Sequence, residues 1–133
     1  MSNASYVKTN SERVWQRHMD LSEIGKTAAG GVHRPALTDE DIAAHVKIAE
    51  WATARSFAVE LDAMGNMFVC RAGSNPSATP VASGSHTDSH PYAGRFDGPL
   101  GVLASQRYRS LCLRTSRKMH VEQPASSHTS LST

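Results

Sequence analysis

Two histidines and two aspartates lie close together in the segment GSHTDSHPYAGRFDG, which runs from Gly84 to Gly98. His86 and Asp88 are two residues apart, so in a strand their side chains point to the same side. A neutral imidazole nitrogen of His86 suits zinc or a similar divalent ion, and Asp88 can accept a hydrogen bond that orients such a ligand. Asp97 can add a carboxylate oxygen after an intervening turn. The pattern is typical of one part of a metal site.

A His-x-Asp pair is also common by chance, so its spacing does not by itself separate a metal site from a solvated loop. The other histidines are assigned no metal role. His33 and His90 lie in glycine- and proline-rich loops, and His18 and His45 are interpreted as partly exposed helix residues. His120 and His128 fall near the carboxyl end.

The apolar spacing predicts two helices before this segment. The first covers Ser11 to Leu21, is capped by Asn10 or Ser11, and has a stripe of residues at spacings of three and four. The second begins at Thr38, an N-cap followed by three acidic residues, and runs to about Ser56. The apolar stripe of the first helix comprises Val14, Trp15, His18 and Leu21, and the predicted buried face of the second comprises Ile42, Val46 and Ala49, with Trp51 and Ala52 as further candidates.

Three strands and a third helix are predicted next. Residues 57 to 73 read as a hairpin around Met64-Gly65-Asn66, and residues 80 to 86 as a small apolar strand covered on both faces. Pro99 suits the first turn of a helix that follows the histidine-aspartate segment. This order of elements predicts an α/β chain.

Length and composition exclude several classes of protein. The 133 residues suffice for one domain, and a net charge of +2 gives no field for nucleic-acid or membrane binding. The two cysteines, Cys70 and Cys112, are too far apart in sequence for a zinc knuckle and are expected to be reduced. Since the sequence shows no secretory or membrane-spanning apolar run, a soluble cytoplasmic protein is expected.

The sequence changes character at Ser105. From there it is rich in serine, threonine and basic residues, without a sustained apolar stripe. We predict an irregular or disordered tail over residues 105 to 133, with nothing to complete a sheet. One hypothesis is a frameshift or misassigned junction near Ser105, which translation of the other two frames would test.

The phrase GSHTDSHPYAGRFDGPLGVLA resembles the metal-binding segment of M20-type amidohydrolases, specifically the N-carbamoyl-L-amino-acid and allantoate amidohydrolase branch. Upstream matches follow in the same order, so the resemblance covers about residues 10 to 105. It implies an α/β fold: the truncated N-terminal portion of a di-zinc aminopeptidase-like (phosphorylase/hydrolase-like) catalytic domain over residues 1 to 104. The upstream matches are Met19-Asp20-Leu21, Ile24-Gly25, Gly30-Gly31-Val32, Arg34, Ala36-Leu37-Thr38, Asp62-Ala63 and Gly65-Asn66.

The resemblance also implies a site and a reaction. His86 would bind one of two divalent ions (Zn, Mn, Co or Ni), Asp97 would bridge both ions, and Asp88 would orient His86. The peptide after Asp97 is often cis in such folds. The implied reaction is hydrolysis of a carbamoyl or ureido carbon-nitrogen bond in a small amino-acid derivative.

The sequence departs from the family pattern after Asp97. It contains no Glu-Glu pair, which supplies the general base in the family, and Glu122 is the sole acidic residue beyond Asp97. The family's dimerising domain, which underlies its homodimers, has no counterpart either. We therefore expect little or no activity from these residues alone. Two alternatives stay open: an allantoate amidohydrolase, or a non-enzymatic fragment that pairs its sheet edge with a full-length paralogue.

Overall fold

The computed structural model describes residues 10 to 91 and 93 to 105 in full, and residues 111 to 115 as backbone. Three helices and four strands follow one another along this part of the chain. They are α1 (Ser11–Ser22), α2 (Asp39–Thr53), β1 (Ala58–Leu61), β2 (Met67–Cys70), β3 (Val81–Ser85), α3 (Pro99–Ser105) and β4 (Leu111–Thr115).

The four strands form one mixed sheet in the order β1-β2-β4-β3. Strand β2 pairs antiparallel with both β1 and β4, whereas β3 and β4 run parallel. A tight turn joins β1 to β2, in which both Asp62 carboxylate oxygens accept hydrogen bonds and Gly65 adopts a φ of 80°. The predicted hairpin and the α/β class are confirmed.

The helices pack on the sheet around an aliphatic core. Helix α2 contacts β1 and β2, while α3 contacts β3, β4 and α1. No aromatic side chain is among the buried core residues of the described part, as the low aromatic content predicts. No helix within the described ranges is long and apolar enough to cross a membrane. The core cluster comprises Leu21, Ala44, Ile48, Ala52, Met67, Val69, Val102 and Leu103.

The predicted buried face of α2 is wrong at Ile42 and Val46. Ile42 and Val46 are 54% and 53% exposed, while Ala44 and Ile48 are fully buried. The helix is rotated because Asp41, in its first turn, is buried against Thr87 and the backbone N–H of Leu37. The helix also ends at Thr53 rather than near Ser56. Ala52 is buried as predicted, and the partly buried Ala49 and Trp51 pack against the core.

Two residues of α1 also differ from the prediction. Trp15 is 57% exposed, although it belongs to the predicted apolar stripe. His18, interpreted as partly exposed, is 2% exposed because Phe96 stacks on its ring. The Asn10 side chain accepts a hydrogen bond from the Arg13 backbone, so Asn10 is the N-cap.

Strand β3 is not covered on both faces. Val81, Ala82 and Gly84 are exposed, Val81 to 61%. The strand also lies at one edge of the sheet, with β4 as its only strand neighbour among the described elements.

The expectation that nothing beyond Ser105 could complete a sheet is wrong for residues 111 to 115. These residues form β4, which lies between β2 and β3. The sequence LCLRT is short and has three apolar residues before Arg114 and Thr115, without a period-two pattern. Pairing with β2 on one side and β3 on the other therefore makes it a strand, and not its own periodicity. The remainder of the predicted tail, including Glu122, His120 and His128, lies outside the described residues.

Candidate metal centre

The structure brings His86, Asp88 and Asp97 together at the carboxyl end of β3. His86 directly follows the strand, Asp88 lies two residues further, and Asp97 returns to the same place in the turn before α3. His86 Nδ1 lies 3.2 Å from Asp88 Oδ1, and His86 Nε2 lies 4.0 Å from Asp97 Oδ1. The side chain of Asp97 is 76% exposed, so the site opens to solvent.

The surroundings of His86 define its tautomer. Nδ1 lies 3.0 Å from the backbone oxygen of Asp88 in addition to the Asp88 carboxylate. Both of these groups can only accept hydrogen bonds, so Nδ1 carries the hydrogen and donates it. The lone pair of a neutral ring is then on Nε2, which faces Asp97. A metal-binding histidine typically has this arrangement, with its second nitrogen donating to a carboxylate or a carbonyl.

When the ring is neutral, Nε2 and the Asp97 carboxylate therefore present two acceptors to each other. Two facing acceptors repel each other unless a proton or a cation lies between them. An ion about 2.1 Å from each ligand atom, the usual bond length to zinc, spans 4.0 Å only with a bond angle much wider than the tetrahedral one, so the two atoms would move about half an ångström closer to hold zinc. The types of these atoms suit a divalent cation, and the exposed Asp97 carboxylate can make that movement.

Gly98 allows the Asp97 turn to lie this close to His86. A Cβ atom at Gly98 would lie 2.5 Å from the His86 backbone oxygen and 2.7 Å from ring atoms Cε1 and Nδ1. Gly98 also has a φ of 78°, which glycine adopts without strain. The Asp97–Gly98 peptide is trans, because none of the described peptide bonds is cis. The expectation of a cis bond at this position is wrong.

A buried polar cluster lies behind the site. Thr87, between His86 and Asp88, donates its hydroxyl hydrogen to Asp41 Oδ1 at 2.9 Å, and its oxygen lies 3.0 Å from His45 Nε2. Since the hydroxyl hydrogen is used, His45 Nε2 is the donor in the second bond. The cluster fixes the segment between His86 and Asp88 to α2. The sequence did not predict this cluster, because Asp41 lies in the first turn of α2, where an acidic residue is usually explained by its interaction with the helix dipole.

Helix α1 supports the Asp97 turn through a ring stack. The rings of His18 and Phe96 lie 4.7 Å apart and within 10° of parallel. Neither ring nitrogen of His18 makes a hydrogen bond of ordinary geometry among the described residues, although the Arg95 backbone lies close enough to interact with the ring. Burial lowers the pKa of His18, and the nearby Arg95 backbone partly opposes this effect. The neutral ring of His18 therefore packs flat against Phe96, the residue before Asp97.

The number of ligands falls short of a complete site. Among the side chains that the structure describes, no three histidine, cysteine, aspartate or glutamate residues are grouped to hold a metal ion. A catalytic zinc takes three protein ligands or more. His33 and His90 are exposed and form no such group with His86 and Asp97. The described residues thus contain two ligand atoms and their orienting carboxylate.

Comparison with curated proteins identifies the relatives of the chain. N-carbamoyl-L-amino-acid amidohydrolases from Rhizobium meliloti and Geobacillus stearothermophilus are 40% and 47% identical over 97 and 93 residues. These matches cover 73% and 70% of this chain but 23% of each relative. A ureidoglycolate hydrolase of Arabidopsis thaliana is 35% identical over 102 residues, which are 77% of this chain and 21% of that protein. No protein-family model matches the sequence.

A solved structure shows the same fold. The amidase of the hydantoinase/carbamoylase family from Burkholderia multivorans superposes with a TM-score of 0.78 at 38% identity, covering 82% of this chain and 29% of that one. The fold and the shared sequence together define the class, which is that of the α/β domains of amidohydrolases. Within that class, the part of the chain that these comparisons cover belongs to the hydantoinase/carbamoylase family. The chain spans about a quarter of the length of the curated relatives it matches.

Proposed function

We propose that the chain supplies the metal-binding segment of a hydrolase that cleaves a carbon-nitrogen bond other than a peptide bond. The substrate class is an N-carbamoyl-L-amino acid or a related ureido compound. The observation that carries the proposal is the pair of facing acceptors, His86 Nε2 and Asp97 Oδ1, 4.0 Å apart. The N-carbamoyl-L-amino-acid amidohydrolases among the relatives support the substrate class.

In this proposal each residue of the site has one role. His86 would bind a divalent ion through Nε2, Asp97 would supply its carboxylate to the two-ion centre, and Asp88 would accept the hydrogen bond from Nδ1 of His86. Zinc, manganese, cobalt and nickel are the candidate ions. When bound, such ions supply Lewis-acid activation of a carbonyl group and of water. Gly98 keeps the carboxylate of Asp97 within reach of the imidazole.

A second ureido substrate is the main alternative. N-carbamoyl amino acids, allantoate and ureidoglycolate all combine a ureido group with a carboxylate. The Arabidopsis thaliana relative named a ureidoglycolate hydrolase favours this wider class. The allantoate alternative stays a prediction, as do the cytoplasmic location and the homodimer expected from the family.

A chimera tests the proposed function directly. Residues 10 to 105 replace the matching segment of the Geobacillus stearothermophilus amidohydrolase, and ammonia release from N-carbamoyl-L-amino acids, allantoate and ureidoglycolate is measured with zinc or manganese. We expect the chimera to hydrolyse at least one substrate, and His86→Ala or Asp97→Ala to abolish this activity. Asp88→Asn should lower it by about 10- to 100-fold, since it removes the orienting carboxylate. The exposed His90→Ala is the matched control.

A chimera that retains its activity after His86→Ala and Asp97→Ala would contradict the proposal. The non-enzymatic alternative has a separate test, because a fragment that pairs through the β3 edge should co-purify with a full-length paralogue. Such a complex, together with a correctly folded but inactive chimera, would favour the alternative.

A further inference from the structure

Arg34 is the largest side chain that is fully buried in the described structure, with 1% of its surface exposed. It follows the Gly30-Gly31 loop and lies outside every helix and strand. Its guanidinium donates three hydrogen bonds, all to backbone oxygens: Nε to Thr87 at 2.8 Å, and Nη1 to Leu21 at 2.8 Å and Ile24 at 2.9 Å. The side chain therefore ties the end of α1 to the segment that carries His86 and Asp88.

The charge of Arg34 has no carboxylate at ion-pair distance within the described residues. Burial lowers its pKa, and the more distant carboxylates of Asp41 and Asp88 oppose this effect. The last carbonyls of α1 carry the negative end of the helix dipole and partly compensate the buried charge. Burying the Arg34 charge with backbone oxygens as its only partners costs free energy that an uncharged side chain would not cost. The position therefore needs the arginine for a further reason, which we seek in the geometry of its guanidinium.

The backbone of Arg34 fixes the same segment a second time. The Arg34 N–H donates to Ser89 Oγ, and the Ser89 N–H donates to the Arg34 oxygen, both at 2.8 Å. Ser89 Oγ also donates to the Val32 oxygen at 3.1 Å. The chain from Thr87 to Ser89 is thus held on both sides of Asp88.

We propose that Arg34 is a positioning residue for His86 and Asp88, which acts through the Thr87 carbonyl by the geometry of its guanidinium. This inference rests on the proposed function only for the zinc-affinity measurement described below. Asp88 must approach His86 Nδ1 to within 3.2 Å, and the direction of the Thr87 peptide sets that approach. The planar guanidinium aims donors at carbonyls of two segments, whereas a lysine ammonium is a point charge on a flexible stem.

Arg34→Lys separates geometry from charge, and a matched variant controls for lost stability. Asp62→Ala removes the carboxylate that caps the β1–β2 turn, far along the chain from the site and outside every contact described for it. Both variants should unfold at a lower urea concentration than the wild type, as measured by far-UV circular dichroism. Only Arg34→Lys should disturb the site.

The first readout needs no metal. In the full 133-residue chain, labelled with ¹⁵N-histidine and kept at one fixed pH, the ring nitrogen shifts report which nitrogen of His86 carries the hydrogen. We expect the Nδ1–H form to dominate in the wild type and in Asp62→Ala, and to lose its dominance in Arg34→Lys. An unchanged His86 spectrum in folded Arg34→Lys would overturn the proposal.

The second readout is zinc affinity, measured by equilibrium dialysis on the same proteins. We expect Arg34→Lys to bind zinc about 10- to 100-fold more weakly than Asp62→Ala, the usual effect of losing an outer partner of a metal ligand. Equal affinities of the two variants would overturn the proposal. If His86→Ala binds as the wild type does, the metal site itself is wrong, and the tautomer readout still decides the role of Arg34.

Discussion

Replacing Gly98 with alanine perturbs the site at its closest contact. The added Cβ would lie 2.5 Å from the His86 backbone oxygen and 2.7 Å from two ring atoms, and neither distance is tolerated without movement. Alanine at the φ of 78° observed here costs about 1–2 kcal/mol, because the left-handed region strains any residue with a Cβ. Displacing the ring from Asp88 costs a further 0.5–1.5 kcal/mol or so, the net value of a hydrogen bond.

These contributions predict that Gly98→Ala lowers the free energy of unfolding by about 1.5–3.5 kcal/mol. Urea unfolding followed by far-UV circular dichroism measures this difference. Gly94→Ala is the matched control: no atom lies within 4 Å of a Cβ there, so its effect should stay within about 0.5 kcal/mol. If Gly98→Ala unfolds with the same midpoint as Gly94→Ala, the close contact between Gly98 and His86 is not as described.

Two further predictions concern the buried groups behind the site. Burial lowers the pKa of His18 in the folded chain, so the unfolded chain binds a proton more readily. The stability that this group contributes is therefore complete above about pH 6.5, the ordinary pKa of histidine, and is lost as the pH falls further. His18→Phe should reduce the loss of stability between pH 8 and pH 5.5 in urea unfolding, whereas the exposed His33→Gln should not; equal pH dependence in both variants would contradict this. Thr87→Val removes the donor to buried Asp41 and should cost about 1–3 kcal/mol in thermal or urea unfolding. The exposed Thr53→Val is the control, and an equally small effect of both would show that the cluster does not contribute.

The sequence predicts those elements whose signals are local. Thr38 marks the start of α2 because its side chain caps the helix, and Met64-Gly65-Asn66 marks the hairpin because Gly65 takes a left-handed turn conformation. Pro99 begins α3 as predicted. In the site, His86 and Asp88 do lie within contact distance of each other, but both follow β3, which ends at Ser85, so strand alternation is not the reason.

The sequence does not predict features that depend on distant partners. Asp41 reads as a solvated first-turn residue, yet Thr87, which follows β3, buries it and rotates α2. The burial of His18 depends on Phe96, and that of Arg34 on three carbonyls from two segments. Arg34 lies in a loop rich in glycine and proline, a composition that usually indicates exposure. Such partnerships are set by tertiary packing and leave no periodic pattern.

The measurement that tests the central claim most directly is zinc binding by the purified chain. Equilibrium dialysis compares the wild type with His86→Ala and Asp97→Ala, with His90→Ala as the control. The facing acceptors His86 Nε2 and Asp97 Oδ1 predict that the first two variants lose affinity for zinc and that His90→Ala keeps it. Equal binding by all four proteins would contradict the assignment of a metal centre to this end of the sheet.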